Sequence, residues 1–237
     1  MRIDGARVIV TGASGTLGGL LATELHRRGA RLGLMGRDQE RLAATAARLG
    51  DSPAVGFEAM DVEAGQEAVG VLAERLGGLD AIVLAHGVAA FGAAVDEDDA
   101  VNEHLHLVNA LSPMALARAA VAAFGDGGGT VAAISAVLVD YPTTGMAAYS
   151  ASKASFSAWL SVLRAEQRRR GVTVLDVRAP HMETGLTTRP IAGNAPSALP
   201  KPYDTAEFAA AVAEAIEKGA GVLSYDPRAR SLSSRAH

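Results

Sequence analysis

The sequence predicts a doubly wound α/β fold, a mostly parallel seven-stranded sheet with helices on both faces. Three observations predict it. Short apolar, β-branched runs alternate with longer amphipathic stretches along nearly the whole chain, the pattern of successive βα units. The first apolar run breaks at a glycine-rich turn that leads straight into a helical pattern. At 237 residues, 49% hydrophobic and 20% charged, the chain has material for one large core and little for a second domain.

Taken in order, residues 6–11 read as a buried strand, the turn Gly12-Ala13-Ser14-Gly15-Thr16-Leu17-Gly18-Gly19 follows, and a helix runs to residue 28. Residues 31–35 form the second strand, followed by Gly36-Arg37-Asp38 and a helix over 39–49. A third strand over 54–59 leads through Met60-Asp61-Val62 to a helix over 64–76. Residues 81–84 are the strongly apolar fourth strand, closed by Ala85-His86-Gly87. The acidic cluster 96–99 precedes a long helix to about residue 124, a placement the helix dipole favours, so the cluster reads as structural rather than metal-binding. Residues 130–135 are the fifth strand, 136–144 a loop, and the next helix ends in Arg168-Arg169-Arg170, again as the dipole favours. The sixth strand spans 172–177. Residues 180–202, rich in proline, glycine, serine and threonine, have no periodicity and are long enough for a functional lid. A helix over 204–218, capped by Asp204 or Thr205, and a seventh strand over 221–224 complete the pattern, with a loose tail after Pro227.

Composition excludes several classes. A formal net charge of −4 gives no bulk attraction to nucleic acid or anionic lipid. No cysteine is present, so disulfides, thiolate nucleophiles and Cys-ligated metals are excluded. The first apolar run is too short for a signal core or a membrane span, and a cytoplasmic protein handling small molecules is expected.

Chemistry concentrates in Tyr149 and Lys153. Four residues apart, they share one helix face. A neighbouring ammonium favours the phenolate and lowers the phenol from its ordinary value of about 10, which makes Tyr149 a candidate general acid/base with Lys153 as its tuner. The strand–turn–helix at residues 6–28 suits a phosphate, because backbone N–H groups and a helix N-terminus can close on it where glycines leave room. No acidic residue ends the second strand and Arg37 follows it, which favours NADP over NAD, though NAD is possible.

With Thr11-Gly12 to Gly18, Asp61-Val62, Ala85-His86-Gly87, Asn109, Tyr149 to Lys153 and Pro180 to Thr184 in this order, the chain resembles the short-chain dehydrogenase/reductase family over nearly its whole length. The resemblance implies a Rossmann-type sheet, a bound NAD(P), and hydride transfer between nicotinamide and a small ketone or secondary alcohol. It implies Tyr149 as proton donor, Lys153 as its partner on the nicotinamide ribose, and Asn109 in a water-linked proton relay. Gly12, Ser14, Gly15, Thr16 and Leu17 would line the pyrophosphate and Asp61 and Val62 the adenine. Ala85, His86, Gly87, Pro180 and Met182 would also bind the cofactor, and Thr184 would contact the nicotinamide carboxamide. It also implies a homodimer or homotetramer.

Three departures stand out. Thr16 replaces the second glycine of the usual turn. Ala85-His86-Gly87 stands for Asn-Ala-Gly and Pro180-His181 for Pro-Gly, so either histidine could titrate near neutral pH or simply change the packing. The serine that polarises the carbonyl falls on Ala136, with a hydroxyl one residue earlier at Ser135. A one-residue shift turns a strand side chain to the other face, so a bulge restores Ser135, Thr143 or Thr144 substitutes, or the oxyanion lacks this donor. The last case leaves open a cofactor-binding sensor or scaffold without turnover, or a lyase or isomerase on the same residues.

Overall fold

The computed structural model describes residues 1–236. Its sheet has the order β3-β2-β1-β4-β5-β6-β7-β8. Strands β1 (Arg7–Thr11), β2 (Arg31–Gly36), β3 (Ala54–Gly56), β4 (Ala81–Leu84), β5 (Thr130–Ile134), β6 (Thr173–Arg178) and β7 (Val222–Asp226) run parallel. Strand β8 (Ser231–Arg235) pairs antiparallel with β7.

These strands read as unbroken apolar runs because both faces are covered. Alternation divides them: Val8, Val10, Ala81, Val83, Ala132 and Ile134 pack toward α1 (Thr16–Arg27), α2 (Gln39–Arg48) and α7 (Thr205–Lys218). Ile9, Ile82, Leu84, Val131 and Ala133 pack toward α3 (Val62–Leu76), α5 (Ser112–Ala123) and α6 (Ala147–Gln167). Asp38, Asp61, Asp98 and Asp204 cap α2, α3, α4 (Asp99–His106) and α7, each accepting a bond from a first-turn N–H, which satisfies donors that otherwise have no partner.

Three expectations are corrected. The sheet has eight strands, not seven, because the tail expected to be loose returns as β8 through the Pro227–Arg230 turn. Asp226 Oδ1 builds that turn, accepting from the N–H groups of Arg228 (2.7 Å) and Ala229 (3.1 Å). The run 54–59 is a strand only over Ala54–Gly56. The long helix after the acidic cluster is divided: α4 passes into a π-helical segment, Leu107–Leu111, before α5. The stretch Asp99–Ala123 is long and apolar enough to cross a membrane by length and composition, with mean hydropathy 1.3, but 61% of that window is buried inside the fold.

Between β1 and β4 the strand order reverses, since the chain winds outward through β2 and β3 before returning. The carboxyl ends of strands at such a point form a crevice. The loops after β1 and β4 meet there: a Cβ at Gly12 would stand 3.0 Å from both Ala85 O and His86 N.

Candidate active site

A cleft of ≈ 680 Å³ opens over these strand ends. Its wall brings together Gly12, Gly15, Thr16, Leu17, Ala85, His86, Gly87, Ser135, Tyr149, Lys153, Pro180, Met182 and Thr184 from the sequence-derived set. Ser14, Arg37, Asp61, Val62 and Asn109 lie outside that wall. Arg37 and Asp61 are exposed, and the Asp61 carboxylate is engaged as the α3 cap.

The glycine turn is built for close approach. A Cβ at Gly18 would fall 2.2 Å from Gly12 O, so no larger residue fits without moving the backbone. Helix α1 has no side-chain cap and no acidic residue in its first turn, unlike the four Asp-capped helices. Its first N–H groups and positive dipole end therefore face the cleft without a protein anion, the arrangement that suits a phosphate. These residues fit a dinucleotide's pyrophosphate.

Tyr149 and Lys153 sit on one face of α6 and are 6% and 5% exposed. Lys153 Nζ donates to Ile134 O at 3.1 Å. Gly87 lies against it: a Cβ there would stand 3.3 Å from Lys153 Nζ and 3.0 Å from Asn109 Oδ1. The expected lowering of the phenol does not occur. Burial penalises the phenolate and pushes Tyr149 up to about 12, while burial brings Lys153 down to about 8 against the attraction of Asp176. Desolvation is the largest cause in both.

Asn109 acts as a bracket. It occupies the π-helical segment, is fully buried, accepts from Val88 N (3.0 Å), and donates to Val88 O (2.9 Å) and Ser152 Oγ (3.1 Å). Its side chain ties the loop after β4 to α6 instead of entering the cleft, and the widened turn is a common device at functional sites.

The hydroxyl of Ser135 is turned away from Tyr149. The β5–β6 ladder continues past it without a bulge, with Ser135 N donating to Val177 O and Val137 N to Ala179 O, both at 2.9 Å. Ser135 Oγ is taken up by Asp176, to which it donates. Ala136 shares an apolar cluster with Tyr149 and Ala148. Thr143 Oγ1 is engaged with Tyr141 O at 3.2 Å, and Thr144 lines the wall.

His86 is neutral. Burial and the Lys153 cation lower it to about 3. Thr11 Oγ1 accepts from Ala85 N (3.0 Å) and lies 2.7 Å from His86 Nδ1, while Nε2 is 3.4 Å from Ser112 Oγ. An imidazole with Nδ1 accepting from Thr11 and Nε2–H directed at Ser112 satisfies all these groups, and the ring packs edge-on to Phe57 at 5.2 Å. Of the two expected readings, packing describes it. His181 is also lowered by burial.

One residue escaped the sequence reading. Asp176 on β6 is 1% exposed and accepts from Ser135, from Ser157 Oγ (2.6 Å) and from Arg178 Nε (2.8 Å), and Arg178 reaches on to Asp140 Oδ1 (2.7 Å). A carboxylate inside an apolar strand run was the available signal, because buried charge demands a partner. Similarly, Ala148 N at the start of α6 donates to Glu97 Oε1 at 2.9 Å, so the acidic cluster supplies the cap of the helix that carries Tyr149.

The chain is similar to known proteins. Residues 6–194 match the family described as short chain dehydrogenase. A Danio rerio dehydrogenase/reductase SDR family member 7B is 29% identical over 198 residues, 79% of this chain and 64% of that protein. A Bos taurus hydroxysteroid 11-beta-dehydrogenase 1-like protein is 32% identical over 171 residues, 69% of this chain and 59% of its own length. The chain thus spans about three fifths of the curated relatives it matches. A short chain dehydrogenase from Burkholderia cenocepacia J2315, solved in complex with NADP, superposes with a TM-score of 0.80 at 27% identity, covering 91% of this chain and 92% of that one.

Proposed function

Because the chain belongs to the short-chain dehydrogenase family, we propose that it is an NADP(H)-dependent oxidoreductase interconverting a ketone and a secondary alcohol. The observation that carries the reading is the joining of the uncapped α1 N-terminus and its glycine turn with buried Tyr149 and Lys153 in one cleft wall.

The turn Gly12 to Gly18 and the start of α1 hold the pyrophosphate. Arg37, exposed after β2 with no acidic residue ending that strand, accommodates a 2′-phosphate. When bound, the nicotinamide supplies or accepts a hydride. Tyr149 gives its phenolic proton to the carbonyl oxygen, completing the alcohol. Held near 12, it is in its acid form at neutral pH, the form reduction needs. Lys153, cationic below about 8, stabilises the phenolate left behind and holds the ribose. Asn109 fixes Val88, and with it the loop beside Gly87. Residues 180–202 act as the lid: Tyr203 N donates to His181 O (2.9 Å), joining its ends, while Ile191 and Ala192 are bonded to Ala89 and Phe91. Leu111 and Val162, half exposed on neighbouring helices, form part of a homo-oligomer face. At Ala136 the oxyanion lacks one donor, which makes the enzyme slow.

The test is a fluorescence titration with NADPH and NADH, then absorbance at the nicotinamide band with a ketone panel. Tighter NADPH binding, ketone-dependent oxidation and its loss in Tyr149→Phe at preserved cofactor affinity are expected. Binding without turnover on any ketone would move the protein to the sensor or scaffold reading.

A further inference from the structure

The side chains of the cleft wall that carry charge at neutral pH, its two histidines aside, are all basic. The chain carries more acidic than basic residues, 26 against 22, yet the wall holds Lys153, Arg189, Lys201 and Arg230 and no carboxylate. A cleft lined by one sign of charge with apolar walls focuses its field on what enters. Lys153 belongs to the proton-transfer machinery. The other three have no part in it, and among the described residues none forms an ion pair. Arg189 is steadied by its Nε, which donates to Gly185 O at 3.2 Å.

Their place in the fold assigns them to the substrate end. Arg189 and Lys201 come from the segment after β6, and Arg230 from the β7–β8 turn. The phosphate turn follows β1, so the hairpin lies four to five strands away, roughly 19–24 Å at the usual strand spacing. Tyr149 lies between, on the helix packed against Ala136 at the end of β5. Arg230 carries a second signal. Its φ of 52° is in the left-handed region, where glycine or asparagine is the unstrained choice, and Asp226 holds the turn that imposes it. Strained side-chain-bearing residues of this kind concentrate where the side chain is used. The remaining wall is largely apolar, with Leu138, Met146, Leu186 and Leu199.

We propose that this site takes an acidic substrate, an apolar body bearing a carboxylate, with Arg230, Arg189 and Lys201 holding the carboxylate. The part of the proposal that concerns a reacting carbonyl rests on the oxidoreductase reading; the anion preference does not. Each solvent-facing charge contact contributes up to roughly fivefold in affinity, less at high salt, so the three together support a preference of about tenfold or more.

The test compares decanoate with decanamide, two unreactive probes of equal length, by titration calorimetry on the full chain with NADPH bound. The proteins are wild type, Arg230→Gly, and the triple variant Arg189→Gln, Lys201→Gln, Arg230→Gly. Wild type is expected to bind decanoate about tenfold tighter than decanamide, and the triple variant within about twofold, with NADPH affinity unchanged. Arg230→Gly is expected to lose part of the preference while its melting temperature holds or rises, because glycine relieves the backbone; a merely structural arginine would instead lower it. Equal binding of both probes to wild type overturns the proposal. So does a triple variant that keeps the preference and loses NADPH affinity, which would assign the cations to cofactor phosphates. Oxidation of NADPH with 5-oxohexanoate and its methyl ester reads the redox chemistry separately: no oxidation with either sinks the oxidoreductase reading, and the calorimetry still decides the anion.

Discussion

Restoring a hydroxyl at position 136 should turn a slow enzyme into a faster one. Ala136 is extended, with φ −148° and ψ 151°, and its neighbours' N–H groups are both tied to β6, so a serine there inherits a fixed direction. Ala136 shares one apolar cluster and the cleft wall with Tyr149, so a hydroxyl there is expected beside the phenol. A donor preorganised at a developing oxyanion contributes about 10²–10³ in kcat, or roughly 2.7–4 kcal/mol. Against this stands the burial of one new hydroxyl, about 1–3 kcal/mol of folding stability where it finds no partner in the resting protein. The assay is steady-state NADPH oxidation with the best ketone of the panel, alongside NADPH affinity by fluorescence and a urea melt. Ala136→Ser is expected to raise kcat at least tenfold with cofactor affinity unchanged and a modest loss of stability. The gain should vanish in the Tyr149→Phe background, since both groups serve the same oxygen. A folded, NADPH-binding Ala136→Ser protein with unchanged or lower kcat would refute the placement of the oxyanion beside residue 136.

Other outcomes follow from the same geometry. Asp176→Asn leaves Arg178 short of its buried partner and should cost about 3–5 kcal/mol, read by denaturant unfolding, whereas Asp140→Asn, on the exposed side of Arg178, should cost about 1 kcal/mol or less. Lys153 must be cationic to stabilise the phenolate, and its folded value is lowered to about 8. The kcat/KM profile should therefore fall as pH rises through about 8, and a flat profile from pH 7 to 10 would contradict the role. Gly18→Ala places a Cβ 2.2 Å from Gly12 O and should abolish NADPH binding in calorimetry; retained affinity would mean the turn is not the phosphate cradle.

Much of this was legible because it is local. Parallel strands buried on both faces announce themselves as apolar runs, Asp204 stands where a helix cap belongs, and Tyr149 and Lys153 share a face through spacing alone. What was not legible depends on long-range partners. Ser231–Arg235 has no apolar pattern, since β8 is held by main-chain pairing to β7. The π-helical turn at Leu107–Leu111 accompanies the bonds of Asn109 to Val88 and Ser152, which no nearby residue signals. The shift of Tyr149 has the same origin: an i+4 lysine predicts a lowered phenol, whereas the depth of the helix in the fold raises it. The outcome at Ser135 and Ala136 turns on strand parity, which no local pattern decides and the uninterrupted ladder to β6 does.

The bond from Ala148 N to Glu97 ties α6 to a loop distant in sequence. That coupling bears on how the scaffold can be recombined. A graft that exchanges the segment between β4 and α4 for one from a relative would remove the acid on which α6 begins, and the start of that helix carries Tyr149. The interchangeable unit is therefore the loop and the helix N-terminus together, and donors for such chimaeras are best chosen by whether they bring an acceptor to position 97.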